Sequence, residues 1–162
     1  MNAEAIISQL NIELPPPPTP AGVYKPLVIV DNLAYLSGHG PVCSDGSMLQ
    51  GRVGSEVDLD GGYRAARQTG LALLSTLRHG LGSLDRVVRV IKVLGLVNSS
   101  PDFHQHPAVI NGCSELFAQV FGKDAGVGAR SALGVAALPG NITVEIEAIF
   151  EIANEGRVGV ME

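Results

Sequence analysis

The hydrophobic pattern of the chain separates into short apolar runs and longer stretches with helical spacing. Apolar runs at 27–30 and 33–38 flank Asp31-Asn32, which predicts two strands joined by a two-residue turn. Apolar residues recur at helical spacing from Tyr63 to Leu81, behind Asp58 and Asp60, and again from about Pro107 to Phe121. These two stretches are predicted to be helices that end at the glycines following them.

The remaining patterned stretches predict three further strands. Residues 86–98 are apolar on both faces, which is typical of a strand inside a sheet and covered on both sides. The stretch from Gly126 to Phe150 is predicted to form two strands joined by a tight turn at 138–141. One row of its alternating residues is apolar and predicted to face the core: Leu133, Val135, Ile142, Val144, Ile146, Ala148 and Phe150.

The opposite row of this last stretch is predicted to hold a site. It carries Arg130, then the small residues Ala132, Gly134 and Ala136, and the carboxylates Glu145 and Glu147. Small residues leave room for close approach of another molecule. The pattern therefore predicts a contact between subunits that contains one guanidinium and two carboxylates.

The predicted elements follow one another in the order ββαβαββ, an α+β single domain in which both helices pack on one face of a mixed sheet. The opposite face is expected to be covered by further copies of the chain. Residues 1–19 precede this domain (20–162) and are expected to form a short helix, with Ile6, Ile7 and Leu10 on one side, and a proline-rich arm. The run Pro15 to Pro18 predicts an extended, rigid arm that lies on the body of the domain. A ligand for an SH3 domain is the less favoured interpretation of the same run.

Composition narrows the classes of function. The 162 residues carry a net charge of −5, with 46% hydrophobic and 17% charged residues, which is typical of a globular domain and disfavours nucleic-acid binding. No signal peptide or membrane span is predicted, so a cytoplasmic location is expected. Cys43 and Cys113 are expected to be free thiols. His104 and His106 have no cysteine and no cluster of acidic residues nearby, so no metal site is predicted.

The segment ARSALGVAALPGNITVEIEAI resembles the C-terminal signature of the RidA family, also called YjgF or L-PSP proteins. Further matches follow the family order: Ala21-Gly22-Val23-Tyr24, Leu36-Ser37-Gly38, and Asn111 before an amphipathic helix. The resemblance covers about residues 20–153. It implies a chorismate-mutase-like fold, a homotrimer with sites in the clefts between subunits, no cofactor, and hydrolysis of 2-enamine or 2-imino acids to 2-keto acids and ammonia.

The resemblance also assigns roles to residues. Arg130 would bind the substrate carboxylate and Glu145 would position or activate water, while Tyr24, Ser37 and Asn111 would line the pocket. From the residues alone, an ion pair between Arg130 and Glu145 or Glu147 remains the alternative.

One departure from the family weakens the assignment. Ala132 stands where many relatives carry a cysteine. A non-catalytic protein that binds small carboxylates on the same trimer is therefore the alternative function. The endoribonuclease activity attached to some L-PSP proteins fits an acidic chain poorly.

Overall fold

In the computed structural model, which describes residues 2–153, a five-stranded mixed sheet carries the helices on one face. The strands are β1 (Leu27–Val30), β2 (Leu33–His39), β3 (Val87–Asn98), β4 (Ala129–Val135) and β5 (Val144–Ile152). The helices are α1 (Ala3–Gln9), α2 (Leu59–Leu81) and α3 (His106–Phe121), with short 3₁₀ turns at Leu84–Arg86 and Pro139–Asn141. The predicted α+β class and the order ββαβαββ are confirmed, with α1 in front.

The local signals at the ends of elements act as the sequence predicts. Asp31 has φ 53° in the turn between β1 and β2, and the two strands pair antiparallel with Val30 opposite Leu33. The side chain of Asp58 accepts a hydrogen bond from the Gly61 N–H at the start of α2. Gly82 ends that helix with φ 80°, a conformation that favours glycine. These turns and caps are therefore made by contacts between residues that lie close together in the sequence.

The predicted hairpin between β4 and β5 is wrong. The strand order is β1-β2-β5-β3-β4, so β3 lies between the two strands that were expected to pair. β4 pairs in parallel with β3, and the helix α3 connects these two strands along the chain. β5 pairs antiparallel with both β2 and β3. β5 is the central strand, and every second residue from Val144 to Ile152 is apolar and buried.

The faces of β5 were predicted correctly and those of β4 were not. Val144, Ile146, Ala148 and Phe150 lie in the core beneath the helices. Leu133, by contrast, is 51% exposed on the opposite face, and Ala132 packs against the core instead. The small row of β4 faces the helices because α3 passes close to the sheet. A Cβ atom on Gly134 would overlap the imidazole of His106.

The segment before the domain lies against its body. The Ser75 hydroxyl of α2 donates a hydrogen bond of 2.6 Å to the Pro15 carbonyl, so the proline-rich arm contacts the domain at its first proline. Within α1 only part of the predicted apolar side is correct. Ile7 is buried, but Leu10 is 49% exposed.

The second face of the sheet is left uncovered by the part of the chain that the structure describes. We call this surface, which carries the exposed side chains of Val28, Val30, Tyr35 and Leu133, the open face. Val88 and Ile91 of β3 are also exposed. The expectation that β3 is covered on both sides is therefore wrong within one chain.

Candidate functional site

Arg130 lies at the start of β4 and points toward α3. Its Nη1 atom donates hydrogen bonds to Asn111 Oδ1 at 2.8 Å and to Ser114 Oγ at 3.1 Å. Both acceptors are neutral, and no ion pair of Arg130 is formed within residues 2–153. The alternative of an ion pair with Glu145 or Glu147 is thus not realised in the single chain. The guanidinium is held in place without losing its charge.

These side chains border a cavity of about 310 Å³ that we call the Arg130 pocket. Its lining contains no carboxylate and consists of Val93, Asn111, Ser114, Phe117, Gly126, Val127, Gly128 and Arg130. A pocket that combines one fixed cation, two neutral polar groups and an apolar wall suits a small molecule with a carboxylate at one end.

The position of α3 brings the polar groups to Arg130. Asn111 and Ser114 are three residues apart and therefore lie on the same face of the helix. The helix can approach β3 closely because Gly95 has no side chain. A Cβ atom there would overlap Ile110. The contact thus depends on small residues in the sheet.

Neither cysteine provides a nucleophile in this pocket. Cys113 is completely buried, and burial raises the pKa of its thiol, with a smaller opposing effect from the charge of Arg130. Cys43 is a half-buried free thiol in the loop after β2. A buried thiol with a raised pKa behaves as a small apolar group.

Glu145 lies on the opposite face of the sheet from Arg130. The pairing of the strands shows this. Arg130 is paired with Val93 of β3, whose side chain is buried under the helices. Glu145 is paired with Leu96, whose side chain points to the other face of β3. The predicted shared face of Arg130 and Glu145 is therefore wrong. The prediction treated β4 and β5 as adjacent strands and therefore assigned their side chains to shared faces. In the structure β3 lies between them, so the faces of one strand do not follow from those of the other.

Partial burial makes Glu145 harder to ionise. Burial raises the pKa of its carboxyl group, and the neighbouring charge of Glu147 raises it further. The carboxylate lies across Gly38, where a Cβ atom would overlap it. A carboxyl group with a raised pKa is better suited to accept or donate a proton near neutral pH than an ordinary surface glutamate.

Ser37 and Tyr24 are separate from the Arg130 pocket within one chain. Ser37 Oγ donates to the Lys25 carbonyl at 2.7 Å and borders a depression of about 340 Å³ on the open face, together with Tyr35, Lys92 and Glu147. Tyr24 is 48% exposed, and its hydroxyl accepts a hydrogen bond from the Ala21 N–H at 3.3 Å. Of the predicted site residues, Arg130 and Asn111 are joined by a direct hydrogen bond within one chain.

Two site residues were not predicted from the sequence. Ser114 accepts a hydrogen bond from Arg130. The sequence could have indicated it, because a residue three positions after Asn111 lies on the same face of a helix. Lys92 lies on the open face, where its ammonium donates to Ser131 Oγ at 3.2 Å. Lys92 was not predicted because residues 86–98 were expected to be covered on both faces of the sheet. A lysine in such a strand gave no indication of an accessible site.

The described residues contain neither a metal-binding cluster nor a membrane-spanning helix. Among residues 2–153 no group of three or more histidine, cysteine or acidic side chains could hold a metal ion, so His104 and His106 form no such cluster. None of the described helices is long and apolar enough to cross a bilayer.

Comparison with known proteins finds a matching family model and a relative of similar sequence. The family model described as "YjgF/chorismate mutase-like, putative endoribonuclease" matches residues 4–150, which include most of the N-terminal segment. Protein TCP17 of Trypanosoma cruzi is 39% identical over 150 residues, covering 93% of this chain and 94% of that protein.

Two solved structures agree in fold. The crystal structure of a putative endoribonuclease from Shewanella oneidensis is 26% identical with a TM-score of 0.89, covering 94% of this chain and all of the other. RidA from Psychrobacter is 26% identical with a TM-score of 0.60, covering 83% of this chain and 93% of the other. With the fold, the matched segment and these relatives in agreement, the chain belongs to the YjgF/RidA family.

Proposed function

We propose that this protein hydrolyses reactive 2-imino acids, or their enamine tautomers, to 2-keto acids and ammonia. The observation that carries the proposal is the state of Arg130, whose guanidinium is fixed by Asn111 and Ser114 yet keeps its positive charge for a ligand. A guanidinium binds a carboxylate through two charge-assisted hydrogen bonds. The substrate carboxylate would therefore be bound at Arg130 in the Arg130 pocket.

The chemistry requires a positioned water molecule. The oxygen of the water forms a bond to the carbon of the C=N group, whose nitrogen takes up a proton. The C–N bond of the resulting tetrahedral adduct then breaks while the proton of its hydroxyl group passes to the nitrogen, which releases ammonia and leaves the keto group. Glu145 is the side chain proposed to hold and deprotonate that water, since its pKa is raised by burial. The absence of a thiol at Ala132 is compatible with this route because no covalent intermediate is needed.

The site is proposed to lie between subunits of a homotrimer. Arg130 and Glu145 lie on opposite faces of one sheet, so the two can act on one substrate only if they come from different copies. The open face, on which Glu145 lies with Tyr35 and Leu133, is apolar enough to be covered by another copy. Ser37 and Tyr24 would then complete the pocket from the copy that supplies Glu145.

One observation favours the alternative, a non-catalytic protein that binds small carboxylates. The Arg130 pocket can bind an anion without any residue from another chain, whereas its lining contains no group that could activate water. A ligand bound at Arg130 with no turnover would support this function.

The name of the family includes an endoribonuclease, which we do not propose for this chain. Its net charge of −5 opposes binding to a polyanion, and nonspecific RNA binding requires a basic groove with aromatic side chains. Incubation with single-stranded RNA serves as the corresponding assay, and we expect no cleavage.

A coupled assay tests the proposed function. An L-amino-acid oxidase generates 2-iminopropionate from alanine, and release of pyruvate is followed with and without this protein, with semicarbazide trapping the remaining imine. Acceleration that increases with protein concentration would support hydrolysis. Pyruvate release at the uncatalysed rate, combined with saturable binding of pyruvate to the protein, would instead identify the binding function.

A further inference from the structure

A second cavity lies at the carboxyl end of the parallel strands β3 and β4. It measures about 420 Å³ and is lined by Arg52, Ser99, Ser100, Pro101, Phe103, His104, His106, Gly134, Val135 and Ala136. None of these side chains is acidic, although the chain as a whole carries a net charge of −5. One guanidinium and two imidazoles therefore share a cavity that contains no carboxylate.

Arg52 is held rigidly at this cavity. Its Nη2 donates to the Ala136 carbonyl at 2.7 Å and its Nε lies 3.4 Å from Asn98 Oδ1. The following residue, Val53, is completely buried and donates its N–H to the Asn98 carbonyl at 2.8 Å. No ion pair to the guanidinium is formed among residues 2–153. Nη1 and one hydrogen of Nη2 remain available for a ligand.

The histidines add polar groups opposite Arg52. His106 Nε2 lies 3.1 Å from Ser99 Oγ, and the ring stands edge-on to Phe103 with centroids 5.4 Å apart. His104 is exposed at the rim. Gly134 makes room for this arrangement, because a Cβ atom there would overlap both the His106 ring and Ser99 Oγ.

We infer that this cavity is a binding site for a small oxyanion, the phosphate or carboxylate group of a metabolite, with Arg52 as its main ligand and the two histidines as further donors. A guanidinium with free N–H groups binds such a group through charge-assisted hydrogen bonds. The carboxyl end of neighbouring parallel strands is a common place for ligands in α/β sheets. The site is independent of the proposed hydrolysis.

The site is also separate from the Arg130 pocket. The two cavities share no lining residue. Arg130 lies near the start of β4 and Val135 at its end, five residues farther along the strand, or about 16 Å. An anion bound at Arg52 would thus leave Arg130 free for substrate.

The charged surroundings predict how binding depends on pH. Burial and the neighbouring His104 lower the pKa of His106, so its ring is neutral at physiological pH and gains charge only on acidification. The other charged groups beside the cavity are Glu56, whose carboxylate accepts a hydrogen bond from the Arg52 backbone N–H at 2.9 Å, and the exposed Asp102. Affinity for the anion should therefore rise as the pH falls and the His106 ring gains its charge, until the anion itself becomes protonated.

Isothermal titration of the full-length protein with inorganic phosphate, and separately with malonate, tests the site at constant ionic strength. The expected result is saturable binding that weakens about tenfold or more in Arg52→Gln and several-fold in His104→Gln. Two matched controls, Arg64→Gln and His79→Gln, change exposed residues of α2 outside the cavity and should leave the affinity unchanged. The two ligands distinguish a phosphate site from a carboxylate site.

Three results would overturn the inference: no saturation by either anion at millimolar concentration, an affinity unaffected by both Arg52→Gln and His104→Gln, or loss of binding in Arg130→Gln. The last result would assign the anion to the Arg130 pocket instead. If Arg52→Gln does not fold, His104→Gln decides, because His104 is exposed and makes no hydrogen bond within the described chain.

Discussion

At the scale of single residues, the contacts of Arg130 separate a ligand-binding arginine from a structural one. A structural arginine is usually neutralised by a carboxylate, whereas Arg130 is held by the amide of Asn111 and the hydroxyl of Ser114. Such contacts fix the direction of the side chain and leave its charge uncompensated. The energetic cost of this arrangement is offset when an anionic ligand binds.

Replacement of Arg130 is therefore expected to damage catalysis more than folding. Arg130→Ala removes both hydrogen bonds to the substrate carboxylate and should lower kcat/KM on 2-iminopropionate about 10²–10³-fold. Arg130→Lys should recover only part of this loss, because an ammonium keeps the charge but lacks the planar fork. Steady-state kinetics on variants with unchanged oligomeric state provide the measurement. An Arg130→Ala protein within threefold of wild type would exclude the proposed role.

Glu145 is expected to make stability depend on pH. Burial raises the pKa of its carboxyl group above the ordinary value of 4.5, so the folded state favours the protonated form. Its favourable contribution is complete below pH 4.5 and is lost as the pH rises through the higher folded pKa. Glu145→Gln should therefore become more stable than wild type as the pH rises from about 4 to 7.

Urea denaturation across this pH range measures the effect. The exposed Glu13→Gln variant serves as the matched control and should show no such divergence from wild type. A difference between Glu145→Gln and wild type that stays constant with pH would contradict the raised pKa.

At the scale of elements, the close contact between α2 and α3 sets the position of Asn111 and Ser114. Gly112 of α3 lies against the backbone of α2, where a Cβ atom would overlap the Tyr63 carbonyl oxygen. Backbone cannot rotate away as a side chain can. The close spacing of the two helices therefore requires a glycine at this position.

Gly112→Ala should destabilise the protein by about 2–3 kcal/mol, because the added methyl group forces the helices apart. The shift should also move Asn111 away from Arg130 and weaken carboxylate binding. Chemical denaturation measures the first effect and pyruvate titration the second. Gly22→Ala is the control, since its Cβ would meet only ordinary contacts of 3.7 Å with Tyr24. Equal stability of the two variants would show that the helices separate without strain.

At the scale of the whole molecule, the sheet has one face under helices and one face without cover. The open face combines apolar side chains, among them Val28, Tyr35 and Leu133, with Glu145 and Glu147. A surface of this kind is typical of an interface between subunits.

We expect the protein to be a homotrimer that buries the open face. Leu133→Glu should shift it toward monomers, because a carboxylate would have to be desolvated in the interface. Leu10→Glu introduces the same change at an apolar residue that is also about half exposed but lies outside the sheet, and should leave the trimer intact. Light scattering at micromolar concentration distinguishes these states. A monomeric wild-type protein would rule out both the trimer and the proposed site between subunits.

The sequence by itself determined the order of the elements, the bounds of α2 and α3, the turn at Asp31 and the core row of β5. Each of these depends on interactions within one turn or one strand, such as helical periodicity, the Asp58 cap and the alternation from Val144 to Phe150. Signals of this range are complete in the local sequence.

Only the tertiary structure decided the neighbours of β3, β4 and β5 and which way β4 faces. Pairing of β4 with β3 depends on the crossover through α3, and the direction of its side chains depends on how closely α3 approaches Gly134. Alternation along a strand specifies two rows but not which row is inside, because that choice belongs to the element packed above it. For this reason Arg130 came to lie beside Asn111, and Glu145 on the opposite face of the sheet.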